Sequence, residues 1–130
     1  PAQISGGIAG AMLANLLFDL PLVELSTTDR VSAGTLMGEV IATAGLIMVI
    51  VVAVRRNQAA LLVWLVPAWI GAAYFFTSST SFANPAVTVG RMFSDTFAGI
   101  SPASAPGFIT AQIVGGAIGA LLALVFARRR

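Results

Sequence analysis

The chain has 130 residues, 58% of them hydrophobic and 9% charged, with a mean hydropathy of +0.94. Soluble domains carry about 25% charged residues, so this composition excludes an ordinary soluble fold and places the chain in lipid. Neither Cys nor His is present, which removes disulfides, thiolate or imidazole metal sites and nearly every familiar nucleophile and base arrangement, so no enzyme activity, metal or cofactor is expected.

Four stretches approach the ~20 apolar residues that a bilayer-spanning helix needs, at about 1 to 18, 33 to 54, 59 to 76 and 105 to 127. The first connection, "DLPLVELSTTDRVS" over 19 to 32, sets Asp19, Glu24 and Asp29 against Arg30. The second connection is only "RRNQ", and the tail is "ARRR". With four spans, residues 55 to 58 and the C-terminus share a face, and the gathered arginines make that face cytoplasmic. The expectation is a multi-pass protein of the cell membrane, with 19 to 32 and 77 to 104 facing outward. All seven basic residues are Arg, without Lys clusters or interleaved aromatics, so the pI near 10.5 reflects loops and tail; no nucleic-acid partner is expected. The chain begins at Pro1 with neither an initiator Met nor a signal-peptide pattern, and reads as a piece of something longer.

Inside the third span, Pro67 is expected to kink the helix, and Trp64 and Trp69 to pack on lipid or neighbouring helices. After it comes "TSSTSFANPAVTVGR", residues 77 to 91. Asn84 is a preferred N-cap, and Pro85 at the first helical position loses nothing, because that N–H would be unpaired anyway. A helix from 84 to 95 would be ~18 Å long, about half of a ~30 Å hydrocarbon core. The approach, Thr77 to Ser81, is non-helical backbone that lipid does not tolerate, so it must be buried in protein or line a wet cavity. A re-entrant hairpin follows, its half-helix starting near the midplane with a partial positive charge that disfavours cations. The competing reading, an extracellular loop with a surface helix, conflicts with the apolar "FANPAVTVGRMF".

Asn84, Val87 and Arg91 are spaced by three and four and share a face. Asn84 offers an amide donor there, and Arg91 lies ~10 Å farther out. Two roles stay open for Arg91: a cation snorkelling to the headgroups, or one at a pore mouth. Asp95 and the Ser101–Pro102 turn are expected to end the half-helix. Glu39 is a lone carboxylate in a span, a costly placement that implies a function or a partner.

Residues 2 to 14, "AQISGGIAGAMLA", return at 111 to 123 as "AQIVGGAIGALLA", with nine of thirteen positions identical. Both copies carry a small-xxx-small pattern, Gly6 with Gly10 and Gly115 with Gly119, which lets helix backbones approach closely. The shared Ala-Gln-Ile is more than packing requires. With two spans between them the copies cross the membrane in opposite senses, the mark of an inverted repeat. The chain then holds one complete repeat and the last helix of another, with roughly one hundred residues expected upstream.

The "NPAVT" motif after a hydroxyl-rich approach, the Ala-Gln helices, "GEVIATAGLIMVIVV" and the charge topology together resemble the aquaporin, or major intrinsic protein, family. The resemblance covers the third to the sixth membrane helix. It implies an all-α integral membrane protein, an aquaporin-like inverted-repeat bundle with a re-entrant half-helix, here about one and a quarter of the two repeats. It also implies a homo-oligomer, a tetramer, whose partners are the lipid bilayer and small neutral solutes. By resemblance, Asn84, Pro85 and Ala86 form the second of two midplane half-helices whose Asn amides hydrogen-bond the solute, and Glu39 accepts backbone N–H bonds from the re-entrant loop, a brace for residues 79 to 83.

The family places Arg directly after Asn-Pro-Ala, where this chain has Val87. Its other filter positions fall on Ala72 and Ser81. Ala72, Ser81 and Val87 imply a wide, Arg-lacking constriction for water, glycerol-like polyols or arsenous acid, and the surrounding pattern resembles the bacterial branch that accompanies arsenic resistance. Arg91, one turn beyond Val87, then offers a displaced cationic barrier. The alternative is a truncated, non-conducting fragment that needs a missing half. A broken-helix transporter is disfavoured, because it wants intramembrane ionisable pairs and the spans supply Glu39 with none.

Overall fold

The computed structural model describes residues 1–126; the arginine tail, expected on the cytoplasmic face, lies outside the described residues, as does Ala127 of the last expected span. All regular structure among the described residues is helical: α1 (Ala2–Leu17), α2 (Ala33–Arg55), α3 (Leu62–Phe76), α4 (Pro85–Gly90) and α5 (Ala105–Phe126). A 3-10 turn at Ala59–Leu61 leads into α3, and another at Arg91–Phe93 continues α4. Among the described residues three stretches are long and apolar enough to cross a membrane: α2 with 23 residues, Ala59–Phe76 with 18 and α5 with 22. α1 has only 16 residues, about 24 Å, and a ~30 Å core must thin for it to cross unaided.

The end of α1 explains its length. Leu20 N–H bonds back to Asn15 O at 2.9 Å and Asp19 N–H to Leu16 O at 3.3 Å, with Asp19 at φ 56°. This is the Schellman closure, which stops a helix through one left-handed residue. The same device ends α2: Gln58 N–H reaches Ala53 O and Asn57 N–H reaches Val54 O, with Asn57 at φ 58°. Asp and Asn tolerate that conformation better than branched residues.

The described residues fall into two compact units. The first joins Pro1–Ser32 to Asn84–Ile109. Here α1 and α4 approach so closely that a Cβ on Gly90 would lie 2.8 Å from the Gly7 backbone, and one on Gly7 would lie 3.2 Å from Ala86 O. The connection 19 to 32 is strapped to the segment after α4 rather than hanging free. Ser26 N–H donates to Met92 O and Ser101 N–H to Thr28 O, Thr27 N–H donates to Asp95 Oδ1 at 2.8 Å, and Arg30 Nε donates to Gly99 O at 2.6 Å.

The second unit takes Ala33–Ala83 and the chain from Thr110 onward. α5 lies against α2 through glycine: a Cβ on Gly115 would strike Val40 O, and one on Gly119 would strike Ala44 O. Trp69 of α3 covers Gly45, donates Nε1 to Ala42 O at 2.9 Å and meets Phe76 edge-on at 5.6 Å. Trp64, by contrast, is 74% exposed. Pro67 sits within α3.

Candidate functional site

The polar approach is held on one carboxylate. Glu39 is fully buried in α2, where its Oε1 accepts the Phe82 N–H at 2.8 Å and its Oε2 accepts the Ala83 N–H at 2.9 Å. Gln112 of α5 adds a third donor, Nε2 to Oε2 at 2.7 Å. Burying a carboxylate costs several kcal/mol unless its lone pairs are satisfied, and these three donors, two of them loop amides, satisfy them.

That anchoring sustains an unusual backbone. Thr80, Ser81 and Ala83 stand at φ 62°, 51° and 48°, the left-handed region that non-glycine residues enter at a cost of order 1–3 kcal/mol each. Around them Ser79 Oγ accepts the Ser81 N–H at 3.2 Å, and Thr77 Oγ1 caps Ala73 O at 2.6 Å. Ser81 itself is 3% exposed, and its hydroxyl, like that of Thr80, has no hydrogen-bond partner among the described residues. Ala72 is an exposed alanine on α3, shortly before this loop.

In the other unit, α4 begins at Asn84–Pro85. Asn84 is extended (φ −158°, ψ 122°), and its Oδ1 accepts the Ala86 N–H at 2.8 Å, with Pro85 at the first helical position. Thr88 Oγ1 and N–H both return to Asn84 O, at 3.2 and 3.0 Å. The cap commits the amide oxygen to the helix, and the Nδ2 hydrogens take no part in it. Ala86 is buried, Val87 is half-buried, and Pro85 is exposed.

α4 is shorter than the twelve-residue helix expected over 84 to 95. It tightens to 3-10 geometry at Arg91, and Ser94 is extended (φ −146°, ψ 112°). The carbonyls of this last turn are claimed from elsewhere in the unit: Arg91 O by Ile100 N–H, Met92 O by Ser26 N–H, and Phe93 O by Asn15 Nδ2 at 2.9 Å. Asp95 lies beyond the helix and binds the 19 to 32 strap. The Arg91 N–H still donates to Val87 O, so Val87 and Arg91 keep their one-turn relation. Arg91 is half-buried and helps line a cavity of about 780 Å³ beside Ala11, Asn15 and Phe97.

The structure thus brings Glu39 and Ser81 together in one unit, and Asn84, Ala86, Val87 and Arg91 in the other. Two features escaped sequence reasoning. Gln112 was visible only as the middle of a repeated Ala-Gln-Ile, and no glycine advertises the left-handed Thr80, Ser81 and Ala83.

The two repeat copies have unlike surroundings. Gln112 is buried on Glu39, whereas Gln3 is exposed. Gly115 and Gly119 press on the α2 backbone, whereas Gly6 and Gly10 have nothing within 4 Å of a Cβ position.

Comparison with known proteins gives one informative likeness. The chain is 46% identical over 114 residues to the aquaglyceroporin AqpS of Rhizobium meliloti (strain 1021), across 88% of this chain and 48% of that protein. The chain therefore spans about half the length of the relative it matches. No family profile matches it, and no solved structure does.

Proposed function

Because the chain belongs to the aquaporin family, we propose that it forms a passive channel for small uncharged solutes, with Asn84 as the solute's principal hydrogen-bond donor. The observation that carries this reading is the polarity of the Asn84 cap. With Oδ1 held by Ala86 N–H, rotation of the amide is blocked, and the Nδ2 hydrogens are what a passing oxygen meets. Water, polyols and undissociated metalloid hydroxides all present such an oxygen; a cation would meet the wrong end of the dipole.

Val87, Ala72 and Ser81 set the size limit in this reading. None carries a charge or a bulky ring, so the opening admits solutes larger than water, glycerol first and arsenous acid among the rest. Glu39 takes no part in transport. It accepts the Phe82 and Ala83 amides and so braces the loop. In this reading, which the family resemblance supports, the chain works as a homotetramer in a bacterial inner membrane, with the arginine-bearing ends cytoplasmic.

A second reading has specific support: conduction needs a further half. The exposed Gln3, Gly6 and Gly10 repeat the residues that Gln112, Gly115 and Gly119 use to seat on a carboxylate-bearing helix, and the AqpS relative is about twice as long. Two identical chains inserted the same way around cannot supply opposed half-helices.

Proteoliposome swelling separates these readings. Glycerol influx above that of empty liposomes, with sucrose excluded, supports a channel in the 130-residue chain. Influx only from a protein of the relative's full length supports the second reading. If neither speeds water or glycerol, both fail.

A further inference from the structure

An apolar cavity of about 290 Å³ lies at the arginine-bearing end of α2, within the second unit. Val49 and Val52 of α2, Leu65 of α3 and Phe126 of α5 contribute apolar surface to it, and Arg56 and Gln58 are its polar lining residues. Both polar residues are exposed and lie just past the end of α2. Arg56 Nη2 donates to Phe126 O at 3.0 Å, a bond that, among the described residues, engages one of the guanidinium's five donors. Arg55 stands beside it, also exposed, and no lining residue is acidic.

A groove of this kind joins two chemistries. Its apolar walls, on helices that cross a membrane, want a hydrocarbon chain, because a void there forfeits dispersion contacts. Its mouth wants an anion with several acceptor oxygens, for which the planar guanidinium is well suited. A soluble anion satisfies only the second demand, and a zwitterionic lipid satisfies the second only weakly.

We propose that this groove is a binding site for one anionic phospholipid, with its phosphate on Arg56 and an acyl chain along Val49, Val52 and Leu65. The volume fits a length of acyl chain, and the rest of the lipid lies in the bilayer. Basic pockets between membrane helices hold anionic headgroups in the same manner. The proposal requires that these helices lie in a bilayer and nothing about conduction, so it stands or falls separately from the channel reading.

The test is native mass spectrometry of the 130-residue protein in detergent, with phosphatidylglycerol and phosphatidylcholine of identical acyl chains added in turn. One arginine at a membrane surface contributes about 1 kcal/mol toward an anionic lipid, so phosphatidylglycerol should be retained about fivefold more than phosphatidylcholine. Arg56→Gln should bring the two lipids level, and Val52→Trp, which fills the groove and keeps the charge, should lower retention of both. Equal retention by the unaltered protein, or an undiminished preference in Arg56→Gln, overturns the proposal. A photocrosslinker at position 52 in phosphatidylglycerol vesicles supplies an independent readout. Adducts to lipid support the site, and adducts confined to protein, whether a second copy or another segment, overturn it.

Discussion

Gln112 and Glu39 meet at 2.7 Å, joining α5 to the carboxylate that also holds the Phe82 and Ala83 amides. A neutral donor to a carboxylate contributes about 1.5–3 kcal/mol, and here it also orients Oε2 toward Ala83. Gln112→Leu should therefore destabilise the protein by roughly that amount. Glu39→Gln should cost more, because an amide NH₂ would face one of the two loop N–H groups. Detergent-solubilised protein followed by Trp fluorescence during denaturation reads both, and equal stability of Gln112→Leu and the parent would refute the coupling.

Asn84 carries two roles that substitution can separate. Asn84→Asp keeps an acceptor for the Ala86 N–H, so α4 should remain capped with stability within about 1 kcal/mol of the parent. It removes both Nδ2 donors, however, and glycerol flux in proteoliposomes should fall sharply. Asn84→Ala should lose the cap as well, at a cost of about 1 kcal/mol. Undiminished flux in Asn84→Asp would remove Asn84 as the solute's donor.

Features that depend on local chemistry were legible in the sequence. The long apolar runs became α2, α5 and the Ala59–Phe76 stretch, and the Asn-Pro step became a capped helix start. Features that depend on remote partners were not. The helix after Asn84 was expected to reach residue 95, yet it tightens at Arg91 because Asn15, 78 residues away, takes the Phe93 carbonyl and Ser26 takes that of Met92. Thr80, Ser81 and Ala83 adopt left-handed backbone because Glu39 and Ser79 reward it, and no glycine marks the place. Gln112 looked like repetition until its neighbour was visible.

Arg91 sits one turn beyond Val87, with its N–H on the Val87 carbonyl. If the family's missing arginine has its charge supplied from there, Arg91→Ala should raise proton leak while leaving glycerol flux roughly unchanged. A pH-sensitive dye trapped in the liposomes measures the first and light scattering the second. A leak equal to that of the parent protein would assign Arg91 to another role.

Asp29, in the strap between α1 and α2, is held below the ordinary carboxylate value of 3.8, first by the Ser104 hydroxyl and then by the Val31 amide. Its Oδ1 accepts both, at 2.5 and 3.3 Å. A folded-state value below the unfolded one means that this group's contribution is complete above the unfolded value and declines as the pH falls through the lowered one. The Asp29 contribution to the strap should therefore fade only as the pH falls below the ordinary carboxylate value. Ser104→Ala should move the Asp29 titration, followed by carbon NMR of labelled carboxylates, up toward 3.8. An unmoved titration would show that Ser104 is not the cause.

Gly10 and Gly119 occupy equivalent places in the two repeat copies, and their surroundings predict opposite responses to the same substitution. A Cβ on Gly119 would strike Ala44 O, whereas one on Gly10 has nothing within 4 Å. Gly119→Ala should push α5 off α2 and destabilise by about 1–3 kcal/mol. Gly10→Ala in the 130-residue chain meets no obstacle and replaces a poor helix former by the best, so it should stabilise by about 0.5–1 kcal/mol. Denaturation in mixed detergent micelles compares them directly. Repeating Gly10→Ala in a protein of the relative's full length extends the test. A change there from stabilising to destabilising means that another helix covers the α1 face, as the second reading of function requires. An unchanged gain means that the face stays open to lipid.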